Sequence, residues 1–238
     1  MKKRISLILF LVLLSAFLLQ FCWKNSDSDF AFYVVNPKQK EVFLYLKKKD
    51  EVNSIANFKS LLIQNKEELL FAMNGGMYKR DKSPQGLCIQ DGIIKSVIDT
   101  NSGDGNFYLK PNGVFYLDTK DSAVVCKTED FKNDKMIKCA TQSGPMLLID
   151  GKIHNAFNKN STNLNIRNGV GILKDNKILF AMSKKEINFY EFAEFFKSKG
   201  CINALYLDGF VSRVYCPSQN WKQTDGDFGI LIGVVSKN

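Results

Sequence analysis

One stretch indicates the fold class most directly: residues 188–209 read NFYEFAEFFKSKGCINALYLDG. Its first half has the three- and four-residue apolar spacing of an amphipathic helix, on a face formed by Phe189, Phe192, Ala193 and Phe196. Asn188 can cap this helix, because Glu191 follows three residues later as in a capping box. Gly200 is suited to the left-handed position that ends a helix. The pattern therefore predicts a helix over residues 189–199.

The second half of the stretch predicts a strand over residues 202–207, which the apolar face of the helix would cover. A further helix is predicted over residues 54–64. Short β runs make up most of the rest of the chain: 30–35, 42–46, 69–73, 86–90, 93–97, 114–117, 146–150, 170–173 and 177–182. Four dipeptides that tolerate positive φ join such runs as hairpin turns: Asp91-Gly92, Asp150-Gly151, Asp175-Asn176 and Asp208-Gly209. We therefore expect an α+β fold with a mixed, mainly antiparallel β-sheet and packed helices, in a single domain over residues 30–238.

The N-terminus has the three parts of an export signal. Lys2, Lys3 and Arg4 precede an apolar run over residues 5–21, and a polar stretch follows to residue 29. The run of 17 residues is at the lower limit for spanning a bilayer, so both a cleaved signal peptide and a membrane anchor remain open. Cys22 follows the run directly, where a bacterial lipoprotein would be lipidated. We assign residues 1–22 to the signal or anchor and 23–29 to a short tether, and expect an exported, periplasmic or cell-surface protein that is membrane-tethered or secreted.

Composition restricts the classes of partner. The chain has 45% apolar and 24% charged residues, which is ordinary for a folded protein, and a formal charge of +9. A basic balance favours anionic partners such as phosphate-bearing glycans. The lysines are scattered and no basic helix is evident, so nucleic acid is not an expected partner. No two of the six cysteines have a CxxC spacing, so we expect no metal site and buried thiols instead.

Two segments carry more polar and glycine residues than folding requires. Residues 74–78, Asn-Gly-Gly-Met-Tyr, follow a predicted strand, and paired glycines there can expose N–H groups to an anion or a sugar oxygen, although a tight turn would explain them equally well. Residues 141–143, Thr-Gln-Ser, are predicted to lie at the mouth of the strand that starts at Met146. His154, the only histidine, is predicted to be a surface or hairpin residue.

Two charged residues attract attention at strand ends. Arg167 and Asn168 precede a strand framed by glycines, and the planar guanidinium suits phosphate. The structural alternative is an arginine that braces a loop through a carboxylate. Asp208 follows a strand that is apolar on both faces, and a carboxylate that ends a buried strand often has a chemical role.

Taken in order, these segments resemble the phosphodiester glycosidase family, and in particular a bacterial, exported branch of it. The motifs that carry the resemblance are Asn74 to Tyr78, Gly105 to Phe107 with Lys110 to Phe115, Ala140 to Met146, Arg167 to Gly171 and Ala204 to Gly209. Together they span most of the chain after residue 30. One departure concerns residues 207–212, which read Leu-Asp-Gly-Phe-Val-Ser where the animal member has Leu-Asp-Gly-Gly-Gly-Ser, so the shape of the substrate should differ.

The resemblance implies hydrolysis of a sugar from a sugar-1-phosphodiester, without a cofactor. It assigns the catalytic roles to Asp208, as nucleophile or general base, and to Arg167, which would stabilise the phosphate leaving group. The residues expected to bind substrate are Asn74, Gly75, Gly76, Thr141, Ser143, Gly144, Asn168 and Gly209. Two other functions stay open: a noncatalytic domain that binds anionic cell-envelope glycans, and a cysteine hydrolase, for which His154 would be the sole available base.

Overall fold

The computed structural model describes residues 27–46, 52, 54–209 and 211–236. Contacts divide the chain into two units, Met1–Phe30 and Ala31–Asn238, and the second is the compact unit that contains the elements below from Ala31 onwards. The predicted signal or anchor, Cys22 and most of the predicted tether lie outside the described residues, so these assignments stay predictions. Within the part of the chain that the structure describes, no helix has the length and apolar character needed to cross a bilayer.

Strands dominate the fold. The described residues form sixteen strands, β1 to β16: Phe30–Val35, Lys40–Leu46, Leu69–Asn74, Cys88–Gln90, Ile93–Ser96, Gly113–Asp118, Ala123–Lys127, Ile137–Ser143, Met146–Ile149, Lys152–Ile153, Asn168–Leu173, Ile178–Ser183, Cys201–Tyr206, Val214–Cys216, Trp221–Lys222 and Ile230–Ser236. The described α-helices are α1, Ile55–Gln64, and α2, Phe189–Ser198. The predicted antiparallel character is confirmed, but the structure is more strongly dominated by sheet than the predicted α+β class implies.

The strands form three sheets instead of the single sheet that we predicted. The first sheet has the order β1-β12-β11-β13-β9-β10, the second β15-β14-β3-β16-β2, and the third β5-β4-β8-β6-β7. Every strand pair whose register is described is antiparallel. Many neighbours in a sheet are distant in sequence, as for β3 beside β16, so hairpin signals alone could not predict this division.

The sheets share one apolar core, and phenylalanine rings from all three meet within it. Phe180 of β12 stacks on Phe71 of β3 with ring centroids 5.5 Å apart, and it meets Phe115 of β6 edge to face at 5.9 Å. All three rings are buried. Aromatic rings in offset-stacked or edge-to-face contact bury large areas and add a favourable quadrupole interaction. This contact therefore joins one strand of each sheet.

Both predicted helices are present, with ends close to the predicted ones. Ser54 caps α1 by accepting a hydrogen bond from the N–H of Asn57. The capping box of α2 is complete, because Asn188 accepts from the N–H of Glu191 while the Glu191 carboxylate accepts from the N–H of Asn188. Helix α2 packs on β9, β10 and β13, so the predicted contact with the strand that follows it is confirmed.

Three of the four predicted turns have the expected left-handed backbone. Asp91, Asp150 and Asn176 all have positive φ between neighbouring antiparallel strands. The prediction of a hairpin at Asp208-Gly209 was wrong. The strands before and after this dipeptide, β13 and β14, belong to different sheets, so the chain crosses between sheets there instead of turning back.

Two further local predictions are corrected. Residues 141–143 lie inside strand β8 and not in a loop before β9. Gln142 is fully buried there because its amide group is satisfied: Oε1 accepts from the N–H groups of Leu87 and Asp99, and Nε2 donates to the carbonyl of Asp99. His154, predicted to be a surface or hairpin residue, directly follows the β9–β10 hairpin but is only 2% exposed, so the surface alternative was wrong.

Candidate functional site

The main chain of Asp208 is held from two sides by buried amides. Its N–H donates to Oδ1 of Asn168 at 2.8 Å, and its carbonyl accepts from Nδ2 of Asn74 at 2.7 Å. Asn168 also donates through Nδ2 to the main-chain carbonyl of Asn74 at 3.1 Å, which links the two asparagines directly. Both asparagines are at most 1% exposed. Asp208 itself is half-buried. Its main chain is therefore held in place by hydrogen bonds while the residue stays partly exposed at the surface.

Ser143 adds a third support to the same segment. Its hydroxyl donates to the carbonyl of Leu207 at 2.5 Å, one residue before Asp208. Asn74 ends β3 of the second sheet, Ser143 ends β8 of the third, and Asn168 begins β11 of the first. Strand ends from all three sheets therefore converge on residues 207–208.

Gly209 has a close-packed position directly after Asp208. Its N–H donates to the hydroxyl of Tyr206 at 2.7 Å. A Cβ atom at this position would overlap that hydroxyl and the carbonyl of Ile166, so the site has no room for a side chain. The hydroxyl of Ser212 donates to the carbonyl of Asp208 at 3.2 Å and holds the segment from its other end.

Arg167 is fully buried beside this segment. Its Nε donates to the carbonyl of Ile187 and its Nη2 to the carbonyl of Asn163, both at 2.8 Å. The guanidinium carbon lies 3.7 Å from the centroid of the Phe189 ring, which is a cation–π contact. Arg167 makes no ion pair with a carboxylate among the described residues, so the predicted alternative of a carboxylate brace is not what is seen.

One nitrogen of that guanidinium remains unsatisfied. Nη1 of Arg167 is buried and has no hydrogen-bond partner within the described chain. Burial lowers the pKa of Arg167 from its ordinary value, because the cation has lost its hydration. An arginine stays protonated nonetheless, so the site holds a buried positive charge, which also interacts with the phenol of Tyr206.

Two tyrosines complete the electrostatic surroundings. Burial raises the pKa of Tyr206 to about 12, and the nearby Asp208 carboxylate raises it further, whereas the charge of Arg167 opposes the rise. Burial also raises the pKa of Tyr78 to about 12, again with a contribution from Asp208. Both phenols therefore stay protonated at neutral pH. The Tyr78 hydroxyl donates its proton to the carbonyl of Asp227 at 3.1 Å, so Tyr206 is the phenol that can donate beside Asp208. Sequence reasoning did not select either tyrosine, although both lie inside the motifs that carry the family resemblance.

The predicted glycines and Thr141 lie nearby and are tightly packed. Gly75 donates to the carbonyl of Ile230 at 2.8 Å. A Cβ on Gly76 would overlap Oγ1 of Thr141, a buried hydroxyl oxygen with no hydrogen-bond partner in the described structure. Gly144 is buried against Asn112. The structure thus places these residues around the same strand ends, and their contact with substrate stays a prediction.

His154 and the cysteines have no nucleophilic arrangement. His154 accepts from the N–H of Ala156 through Nδ1, so its Nε2–H donates to the carbonyl of Lys110 at 3.1 Å. Burial raises the pKa of Cys88, Cys139 and Cys201 to about 12 in each case, which disfavours the thiolate that a cysteine hydrolase needs. The described cysteines are free thiols, mostly buried, as predicted. Within the described ranges no three His, Cys, Asp or Glu side chains cluster as metal ligands would.

The carboxylate of Asp208, the buried cation of Arg167 and the two phenols form a site in which opposite charges come from different segments of the chain. Such a site can place a carboxylate near an anomeric carbon and a positive charge near a departing phosphate. The site also explains why the motifs are far apart in sequence, because each one supplies a different strand end.

Comparison with known proteins agrees with this architecture. The protein YigE of Escherichia coli (strain K12) is 38% identical over 186 residues, which cover 77% of this chain and 72% of YigE. The catalytic domain of zebrafish N-acetylglucosamine-1-phosphodiester alpha-N-acetylglucosaminidase, solved in a form auto-inhibited by its pro-peptide, has a similar fold. It superposes with a TM-score of 0.59 at 14% identity, covering 88% of this chain and 84% of that one.

A protein from Synechocystis has a similar fold as well, with a TM-score of 0.57 at 11% identity, and the match covers 87% of this chain and 59% of that one. The sequence profile of the phosphodiester glycosidase family matches residues 67–227, a range that includes every predicted site residue from Asn74 to Gly209. The chain is therefore a member of the phosphodiester glycosidase family.

Proposed function

We propose that this protein hydrolyses the bond between a sugar and the phosphate of a sugar-1-phosphodiester. The observation that carries the proposal is the fixed main chain of Asp208, which the buried residues Asn74 and Asn168 hold by hydrogen bonds. Catalytic groups are most effective when the protein holds them in position before the substrate binds. Family membership supports the reaction class.

Asp208 has the role of nucleophile or general base at the anomeric carbon. A carboxylate can attack that carbon directly or remove a proton from the attacking water, and both mechanisms pass through a transition state with positive charge on the sugar. The adjacent Tyr206 is protonated and supplies a donor for the carboxylate or for a sugar oxygen, whereas the Tyr78 hydroxyl donates to the carbonyl of Asp227. The departing phosphate monoester is a good leaving group, so the reaction has little need of a strong general acid.

Arg167 stabilises the negative charge that develops on the phosphate. A phosphate oxygen that reaches Nη1 would satisfy a donor that is otherwise buried without a partner. The guanidinium is already oriented by Ile187 and Asn163, so it would not have to reorganise during the reaction. The remaining predicted substrate-binding residues position the oxygen atoms of the substrate. They are Gly75, Gly76, Thr141, Ser143, Gly144 and Gly209.

The substrate and the location follow from the charge and the N-terminus. A basic chain with an export signal fits a phosphate-bearing glycan of the cell envelope, with the membrane contacted through the N-terminal segment. The bulky residues 210 and 211, where the animal member has glycines, support a substrate of different shape.

A noncatalytic glycan-binding domain is the second candidate, and the full burial of Arg167 favours it. Two of the three guanidinium nitrogens already donate to carbonyl groups, so a bound ligand would find only one of them unused. In this alternative Asp208 would act only as an acceptor for sugar hydroxyls.

Incubation of the purified chain with sugar-1-phosphate diesters separates the two candidates. The enzyme should release free reducing sugar, and Asp208→Asn should lose turnover while it keeps substrate binding, because the amide keeps the shape but not the charge. Asp91→Asn is the matched control, since it alters an exposed aspartate that also precedes a glycine and should leave turnover unchanged. Binding without sugar release, unaffected by Asp208→Asn, would contradict the hydrolase assignment.

A further inference from the structure

The motif at residues 110–115 lines a second cavity, and its Asn112 packs against Gly144 of the predicted substrate-binding set. This cavity has a volume of about 400 Å³, within the range of small-molecule binding sites. The polar residues that line it are Thr100, Lys110, Asn112, Lys127, Thr128 and Glu129. None of the residues that hold Asp208 belongs to this lining.

The back wall of the cavity is fixed by hydrogen bonds. Nδ2 of Asn112 donates to the carbonyl of Phe107 at 2.9 Å, and the carbonyl of Asn112 accepts from the N–H of Thr128 at 3.0 Å. The hydroxyl oxygen of Thr128 accepts from Nε2 of Gln142 at 3.2 Å. The buried His154 holds the carbonyl of Lys110. The wall is thus organised before any ligand binds.

The same wall leaves two polar groups available. Oδ1 of Asn112 accepts no hydrogen bond from the described residues, and the Thr128 hydroxyl, which accepts from Gln142, can still donate its own proton. One acceptor and one donor side by side suit the hydroxyl groups of a sugar. Thr100 adds a further hydroxyl to the lining.

The rim of the cavity carries a positive excess. Nζ of Lys110 donates to the carbonyl of Thr100 at 3.1 Å and pairs with no carboxylate in the described part of the chain. Lys127 pairs with Glu129 at 3.4 Å, but the glutamate side chain is 72% exposed, so the pair is loose and solvated. Two lysines and one glutamate leave a net positive charge beside the sugar-binding groups.

We propose that this cavity binds an anionic sugar, such as a phosphorylated monosaccharide or a uronic acid, independently of the hydrolytic site. The ring hydroxyls contact Asn112 and Thr128, and the phosphate or carboxylate lies between the two lysine ammonium groups. Such a site would hold a second unit of a charged glycan. It goes beyond the proposed hydrolysis and does not depend on it.

Calorimetric titration of the full chain in detergent with glucuronic acid and with glucose 6-phosphate tests the proposal. At least one of these anionic sugars should bind, and the tighter of the two identifies the preferred acidic group. Neutral glucose and inorganic phosphate should each bind at least about tenfold more weakly, because glucose has no anionic group for the lysines and phosphate has no ring hydroxyls for Asn112 and Thr128. Equal affinity for neutral glucose, or no binding of either anionic sugar, would overturn the proposal.

Variants locate the binding event. Lys110→Gln and Lys127→Gln should each weaken binding by about tenfold, since each removes one charged donor from a side chain that is exposed at Lys110 and half-buried at Lys127, outside the apolar core. Lys95→Gln, at an exposed position of β5, is the matched control and should bind like the unchanged chain. Asp208→Asn should bind normally as well. If Asp208→Asn abolished binding while both lysine variants retained it, the ligand would occupy the hydrolytic site and the inference would be wrong.

Discussion

The environment of Arg167 determines what a conservative replacement would change. Its guanidinium donates to two separate carbonyls and lies on the ring of Phe189, a geometry that a lysine ammonium cannot reproduce. Arg167→Lys should therefore leave a carbonyl of Ile187 or Asn163 unpaired and lower the free energy of unfolding by about 1–3 kcal/mol. Urea denaturation measures this loss, and kcat/KM on a sugar-1-phosphate diester should fall by about tenfold or more.

Arg213 offers the matched control for the stability measurement. Its guanidinium pairs with Asp225 at 2.8 Å, but the side chains are 38% and 63% exposed, so water competes with the pair. Arg213→Lys should change the free energy of unfolding by less than about 0.5 kcal/mol. Equal losses for the two variants would show that the buried contacts of Arg167 contribute no more than a surface ion pair.

His154 predicts a dependence of stability on pH. Burial lowers the pKa of His154 below its usual value, so the folded protein resists the proton that the unfolded chain accepts below about pH 6.5. The free energy of unfolding should therefore fall as pH drops from 7.5 to 5.5, by up to about 1.4 kcal/mol, because pH 5.5 lies about one unit below the pKa of the unfolded histidine.

Unfolding of His154→Gln at the same pH values checks the assignment. The chain has a single histidine, so this variant should be less sensitive to pH across that window, whatever its absolute stability. An unchanged slope would mean that other groups, such as carboxylates, cause the dependence.

Single residues also show where local sequence patterns mislead. Asp208-Gly209 has the composition of a hairpin turn, yet the chain crosses between sheets there, because buried amides from β3 and β11 hold the main chain of Asp208. His154 follows a real hairpin, but its ring is buried by stacking on Phe157 with centroids 4.8 Å apart. Both outcomes depend on partners distant in sequence, and local patterns contain no information about them.

At the scale of elements, helix α2 is specified by its own sequence. Phe192 and Phe196 are fully buried, whereas Phe189 is half-buried and contacts both Arg167 and the ring of Tyr206 at the end of β13. Phe192→Ala should lower the free energy of unfolding by about 3–5 kcal/mol, because it opens a cavity in a packed core. Glu194→Ala, exposed on the same helix, should change it by no more than about 0.5 kcal/mol. A small effect of Phe192→Ala in thermal or urea unfolding would mean that α2 contributes little to the core.

The contrast between α2 and β8 explains which elements could be predicted. The periodicity, capping box and terminal glycine of α2 all lie within one stretch, so they identify the helix without tertiary information. In β8 the residues Thr141, Gln142 and Ser143 are polar but buried, because Gln142 and Ser143 have hydrogen-bond partners elsewhere in the fold. A polar strand that is satisfied by distant groups has the local pattern of a loop.

At the scale of the whole molecule, the arrangement of three sheets was beyond local patterns. Strand pairs such as β3 with β16 or β1 with β12 join segments separated by most of the chain, and only tertiary packing selects them. The sequence nevertheless predicted in part that four residues would lie close together. They are Asn74, Ser143, Arg167 and Asp208. Motifs at strand ends have few places to meet, and the structure brings the first two onto residues 207–208, with Arg167 beside Tyr206.

If residues 207–208 join the sheets, removing two of their supports should have a combined effect that differs from the sum. Asn74 of the second sheet holds the carbonyl of Asp208, and Ser143 of the third holds the carbonyl of Leu207, so each support is effective only while the segment stays in place. A double-mutant cycle with Asn74→Ala and Ser143→Ala should show a coupling energy of at least about 0.5 kcal/mol in urea unfolding. Asn203, which donates to the carbonyl of Val125 from the other end of β13, provides the control. Asn74→Ala and Asn203→Ala should be additive within about 0.5 kcal/mol, and additivity in both cycles would show that the sheets are joined by the aromatic core and not by the segment that carries Asp208.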